Sequence, residues 1–141
     1  MSTVPGRLAI ARAWAAAWNA HDADAVLALY SPDATHRMSA GPERVGDELR
    51  AMVERSLTAY PDLSFEVHDA FGVERDAGSR LVIEYTMRGT QTGAINGRPG
   101  SGRPIAIDGA LLATLDADGR MAVVIDHIDH HAIRVQQGTA D

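Results

Sequence analysis

The sequence predicts an α+β fold in which helices gather on one face of a curved antiparallel sheet. Three observations carry this. Apolar residues recur at helical spacing as far as Tyr60, the segments after Leu63 alternate or are β-branched, and Asp116-Ala117-Asp118-Gly119 is a strong turn signal between two apolar runs. The 141 residues form a single domain, 1–141. A chain of that size buries about two-thirds of its unfolded surface, enough for a core without covalent staples.

The elements follow in order. From Arg7 to Ala20, Leu8, Ala11, Ala15 and Trp18 lie on one helical face with Trp14 beside them. Asp22 is placed to cap a short second helix with Val26, Leu27 and Tyr30 on its apolar side, and Ser31-Pro32-Asp33 stops it. Ala34 to Met38 reads as a short strand. A third helix runs from about Asp47 to Ala59, because Leu49, Met52, Val53, Ser56, Leu57 and Tyr60 form an amphipathic stripe, and Tyr60-Pro61-Asp62 ends it. Leu63 to Gly72 then alternates toward a turn at Arg75–Gly78. Arg80 to Gly89 is β-branched and aromatic, Gly93 to Pro104 is a long connection, and Pro104 to Leu115 pairs with Arg120 to Ile128 as a hairpin. The tail from Gln136 to Asp141 is expected to fray.

Composition excludes several chemistries. There is no cysteine, hence no disulfide, thiolate nucleophile, iron–sulfur cluster or Cys-type zinc site. All 13 basic residues are arginine, which removes lysine Schiff bases and the P-loop. A net charge of −6 argues against nucleic-acid and anionic-membrane partners. The N-terminus has no apolar signal core, and Leu8 to Ala20 is too short and polar to span a bilayer, so a cytoplasmic location is expected.

The ordered set Tyr60-Pro61-Asp62-Leu63, Gly89-Thr90-Gln91-Thr92-Gly93, Gly102-Arg103, Asp118-Gly119-Arg120, Asp126-His127-Ile128-Asp129 and Gln136-Gln137-Gly138 resembles the SnoaL-like polyketide cyclase (ester cyclase) branch of the nuclear transport factor two-like superfamily. The resemblance implies a cone-shaped, strongly curved antiparallel sheet wrapped around three N-terminal helices and enclosing a deep apolar pocket. It implies a small cofactor-free acid/base enzyme acting on a hydrophobic carbonyl compound by intramolecular aldol-type cyclisation. Ketosteroid-isomerase-like isomerisation and non-catalytic small-molecule binding are the alternatives the same fold hosts. It also implies a homodimer through the convex sheet face, where Ala110, Val123 and Ile125 would otherwise form an exposed apolar patch.

Asp126 is the first candidate catalytic residue. If Leu115 pairs with Arg120, Asp126 lies opposite Gly109, with Ala122, Val124 and Ile128 on its own face and Leu111 and Ala113 beside it. Such neighbours would desolvate the carboxyl and raise its pKa into a useful range; the competing reading is a carboxylate exposed at the rim. Its position matches the acid/base aspartate of the resembled family. The same resemblance points to His36 as a second pocket residue that could orient or protonate an enolate, with Met38 on its face and Arg37 pointing away. Trp14, Trp18, Tyr30, Tyr85, Met87 and Leu111 are candidate walls for a flat apolar ligand, or ordinary core.

His127, Asp129 and His131 would share the opposite strand face, with His127 across from Asp108. That pattern is either a metal site or a polar outer face, and strand spacing of about 6.6–7 Å between same-face residues disfavours the metal. His21 and His68 are expected at the surface, and Arg88 is expected to pair with Glu84. The strand bearing Glu84, Thr86 and Arg88 has no aspartate, which counts against epoxide hydrolysis. Gly93 to Arg98 has no phosphate-binding pattern and reads as a mobile lip over the pocket mouth.

Overall fold

A computed structural model describes residues 6–75, 78–95 and 97–139. The first helix, α1 (Arg7–Asn19), is followed by α2 (Ala23–Leu27), whose cap is the expected Asp22, its carboxylate accepting from the Ala25 N–H at 3.1 Å. Then come β1 (Tyr30–Met38), β2 (Arg44–Val45), α3 (Gly46–Ala59), β3 (Ser64–Phe71), β4 (Glu74–Arg75), β5 (Gly78–Thr90), β6 (Pro104–Leu115), β7 (Met121–Ile128) and α4 (His130–Gln137). The turn expected at Arg75–Gly78 includes Asp76 and Ala77, which lie outside the described residues.

The strands form one curved, unclosed sheet in the order β2-β1-β7-β6-β5-β3, with β4 pairing β5. The expectation of a purely antiparallel sheet needs one correction: β1 runs parallel to β7, with Met38 opposite Asp126 and His36 opposite Val124. β1 also starts earlier than expected. Ser31-Pro32-Asp33 does not stop a helix before the strand; it falls within a register shift between Tyr30 and Thr35, where a missing proline N–H costs no ladder bond.

The β6/β7 hairpin departs from the expected pairing by two residues. Leu115 faces Met121, and a bulge between Thr114 and Leu115 brings Asp126 opposite Leu111, while Gly109 faces Ile128. An offset of two preserves the side-chain face, so Asp126 still points the way its alternation requires. The bulge gives the inner position to Met121, which is fully buried, and leaves Ala122 half-buried. Asp116 fixes the turn: its carboxylate accepts from the Asp118 and Arg120 N–H groups at 2.9 and 3.0 Å.

Helices α1 and α3 cover the concave face. An aromatic cluster joins α1 to the sheet, with Trp14 4.7 Å from Phe65 and 5.4 Å from Tyr85 between ring centroids. Trp14, Leu81, Ile83, Tyr85, Leu111 and Val124 are among the most deeply buried side chains. On the convex face, register aligns Phe71, Val82, Leu112 and Ile125 in one row across four strands.

The fold has a fourth helix that the tail was not expected to form. Asp129 caps it by accepting from the Ala132 N–H at 2.9 Å, and Gly138, at φ +74°, ends it in the left-handed conformation that glycine adopts freely. Its last turn is fastened to the body. Gln136 mimics a strand by exchanging two hydrogen bonds with the Ala106 backbone, at 2.7 and 3.0 Å. Gln137 is buried and donates to Gln91 Oε1 at 2.6 Å and to the Tyr60 hydroxyl at 3.0 Å. Replacing Gln137 with Ala removes both of these donated bonds and leaves Gln91 Oε1 and the Tyr60 hydroxyl only their mutual 3.4 Å bond, and the expected loss of stability in urea unfolding is about 1–3 kcal/mol.

Candidate active site

Between α1, α3, α4 and the concave sheet face lies a cavity of about 530 Å³, within the usual range for small-molecule sites. Trp14, Trp18, Tyr30, His36, Met38, Met87, Leu111 and Asp126 all line it. Tyr85 is the exception among the predicted walls. Its ring is packed behind the cavity against Trp14 and Phe65, and only its hydroxyl acts on the site, donating to Asp126 Oδ1 at 2.6 Å.

Asp126 is half-buried. It lines the cavity, and burial pushes its pKa up to about 6, although the Tyr85 hydrogen bond pulls the other way. In turn, burial and the charge of Asp126 hold the Tyr85 and Tyr30 hydroxyls well above the ordinary phenol range, so both remain protonated donors. The close approach of Tyr85 explains a glycine. Gly109 sits opposite Tyr85 on β6, and a Cβ there would stand 2.5 Å from the hydroxyl oxygen.

His36, on β1, is buried, with Nδ1 3.0 Å from the Tyr30 hydroxyl. Burial, followed by the positive charge of Arg44 opposite it on β2, lowers its pKa to about 4. The imidazole is thus neutral at pH 7. Hydrogen-bond accounting assigns its tautomer. If Tyr30 donates to Nδ1, both of those groups are satisfied and the ring proton sits on Nε2. That atom is buried and has no partner among the described residues, as is also true of Trp14 Nε1 and Trp18 Nε1.

Several lining residues were not anticipated. Tyr60, Gln91 and Gln137 form a buried polar wall, and Ile133 and Arg134 enter from α4. Gln91 and Gln137 stood in the quoted motifs, but nothing in their spacing showed that they converge. Of the segment expected as a lip, Asn96 lies outside the described residues, while Ile95 and Arg98 line the cavity and exchange two backbone hydrogen bonds of 2.9 Å. Its backbone is tied down by the Gln91 amide, which donates to the carbonyls of Gly93 and Arg98.

Other expectations about polar residues are corrected. β7 ends at Ile128, so His127, Asp129 and His131 do not share a strand face, and Asp129 uses its carboxylate to cap α4. His127 faces Ala110, whereas Asp108 accepts a 2.6 Å hydrogen bond from Thr86 Oγ1. Arg88 pairs with Glu66 at 3.3 Å rather than with Glu84. His21 is half-buried, with Nε2 donating to the Leu63 carbonyl at 2.9 Å, whereas His68 is exposed as expected, with Nε2 2.6 Å from Thr86 Oγ1. No helix in the described residues is long and apolar enough to cross a membrane.

A family model described as a SnoaL-like domain matches residues 11–124, and the chain belongs to that family. Its fold is that of the nuclear transport factor two-like superfamily. Among solved structures, AclR from Streptomyces galilaeus, described as a candidate hydroxylase, is 25% identical with a TM-score of 0.79, over 96% of this chain and 86% of that one. IdmH from Streptomyces antibioticus, described as a candidate polyketide cyclase, is 20% identical with a TM-score of 0.76, over 95% and 99% of the two chains. A protein from Catenulispora acidiphila described as having a ketosteroid isomerase-like fold is 22% identical with a TM-score of 0.74, over 96% and 95%. No curated protein matches the chain in sequence.

Asp126 and His36 oppose one another in their effect on stability. Asp126 holds its proton longer in the folded state, so its contribution falls as pH rises from its unfolded value of 3.8 to about 6. His36 loses its proton more readily when folded, so its contribution is lost as pH falls from 6.5 to about 4. Asp126→Asn removes the first effect alone. Its stability relative to wild type should climb across that window and level off above pH 6 at a gain of roughly 1–3 kcal/mol, read by urea unfolding. Tyr85→Phe should shift the Asp126 titration upward in carboxyl NMR, and Gly109→Ala, which displaces the Tyr85 hydroxyl, should do the same.

Proposed function

We propose that the chain is a cofactor-free acid/base enzyme acting on a hydrophobic carbonyl compound, and that its reaction is an intramolecular aldol-type cyclisation. The observation that carries this reading is Asp126: a carboxyl in an otherwise largely apolar cavity, one oxygen held by Tyr85, with a pKa near 6. At neutral pH it is mostly ionised yet basic enough to take a proton from carbon activated by two carbonyls.

In the proposed reaction, Asp126 removes a proton from the activated carbon of the substrate. The C–H electron pair becomes an enolate, which attacks a second carbonyl carbon of the same molecule and forms the ring C–C bond. The displaced carbonyl electrons become an alkoxide, and Asp126 returns the proton to it, so the enzyme ends as it began. The neutral His36, with its proton on Nε2 and its ring fixed by Tyr30, is suited to donate a hydrogen bond to the enolate oxygen. The walls hold the chain folded so that the reacting carbons meet, which lowers the barrier by removing orientational freedom beforehand. The description of IdmH as a candidate polyketide cyclase supports this reading.

Isomerisation through a dienolate uses the same proton transfer without the C–C bond, and a binding protein of this fold would use the cavity without turnover. A screen of aromatic polyketide esters and ketosteroids against wild type and Asp126→Asn separates the three. Cyclisation reduced by about 10²–10⁴ in the variant is the expected outcome. Equal turnover by both proteins would remove Asp126 from the mechanism, and ligand binding without turnover would leave the binding reading. The wild-type rate should rise with pH to a plateau above about 6, the range in which Asp126 becomes the free base.

The chain is also proposed to form a homodimer through its convex sheet face, where Val123 and Phe71 are 44% and 49% exposed beside Leu112 and Ile125. Sedimentation at micromolar concentration is expected to give twice the chain mass; a monomer would overturn this.

A further inference from the structure

The charges around the cavity run against the charge of the chain. Acidic residues outnumber basic ones by 19 to 13, yet among the described residues Asp126 is the only carboxylate that lines the cavity, whose lining includes Arg44, Arg55, Arg98 and Arg134. The four arginines come from four separate places: β2, α3, the lip after β5, and α4. Among the described residues, carboxylates pair with Arg7, Arg50 and Arg88 but with none of these four. Burial sorts the lining into a floor and a rim. Trp14, Trp18, Tyr30, His36 and Leu111 are buried, whereas Arg55 and Arg98 are exposed and Arg44 and Arg134 are half-buried.

We infer that the substrate carries a carboxylate, and that this group sits at the cavity mouth among Arg44, Arg55, Arg98 and Arg134 while the apolar carbonyl-bearing body reaches inward to Asp126. The inference rests on the reading of the cavity as a substrate site and adds to it the class and orientation of the substrate. Two opposed fields set that orientation. A carboxylate at the inner end would meet the like charge of Asp126, whereas at the mouth it meets guanidinium groups that present paired N–H donors to its two oxygens. The charge of Arg44 is already felt inside the cavity, since it contributes to keeping His36 neutral. Four unpaired cations around a low-dielectric opening also raise the local concentration of an anion and so speed capture.

The test compares anthraquinone carboxylate with anthraquinone carboxamide, which share a flat tricyclic body and differ in charge. Binding is followed by quenching of Trp14 and Trp18 fluorescence at low and at high salt. At low salt the acid is expected to bind about tenfold tighter than the amide, the strength of one charge-assisted hydrogen bond. That ratio should fall toward one at high salt and in the Arg44→Gln/Arg134→Gln variant. The amide serves as internal reference, so a general loss of folding would not imitate the effect. Equal binding of acid and amide to the wild type would overturn the inference while leaving the cavity as a site for neutral ligands. A preference for the acid that survives replacement of all four arginines would also overturn it. Failure of both ligands to bind would remove the substrate-site reading together with this one.

Discussion

The contact on which the site depends is the 2.6 Å hydrogen bond from the Tyr85 hydroxyl to Asp126. A carboxylate facing an apolar hollow is unstable in either of two ways: it can stay protonated, or it can turn toward water. Tyr85 opposes both, because its proton, held by burial and by the charge of Asp126 itself, is always available to one carboxylate oxygen. The other oxygen is left to the cavity. This geometry exists because β6 carries no side chain at Gly109, so the phenol can cross the neighbouring strand and reach β7. A glycine, a tyrosine and an aspartate on three adjacent strands thus act as one unit.

The legibility of this arrangement in the sequence is uneven, for physical reasons. Strand alternation is a parity rule, and parity survives a register offset of two; Asp126 therefore faces inward even though its partner is Leu111 rather than Gly109. Turn chemistry at Asp116–Gly119 was equally legible because it is local. The pairing of β1 with β7 was not, since hydrophobic patterning carries no information about which distant strand lies alongside. The fourth helix escaped because Asp129 and the two histidines after it also suit the end of a strand; only the later contacts of Gln136 and Gln137 settle the segment as a helix. Tyr85 was recognised as a large residue near the cavity, but its role depends on a close approach that no spacing rule encodes.

The groups around the cavity also show how one environment produces two protonation states. Burial raises the pKa of Asp126 and lowers that of His36, because in each case it disfavours the charged form. The result is a carboxylate that remains basic and an imidazole that remains neutral at the same pH. Tyr30 links them: its hydroxyl bonds to His36, and the charge of Asp126 helps keep that hydroxyl protonated. Around them the Tyr60, Gln91 and Gln137 wall satisfies its own polar groups, leaving few competing partners for a ligand.

The parallel alignment of β1 with β7 has a consequence for how the cavity is assembled. His36 and Asp126 come from opposite ends of the chain and are brought to the same cavity only when those two strands join. Such a long-range closure is entropically late, made after local helices and hairpins have formed. A chain without β7 paired would carry His36 and most of the cavity walls but would lack Asp126 at the site. The cavity therefore gains its carboxyl group and its closing wall in one step, when β7 docks beside β1.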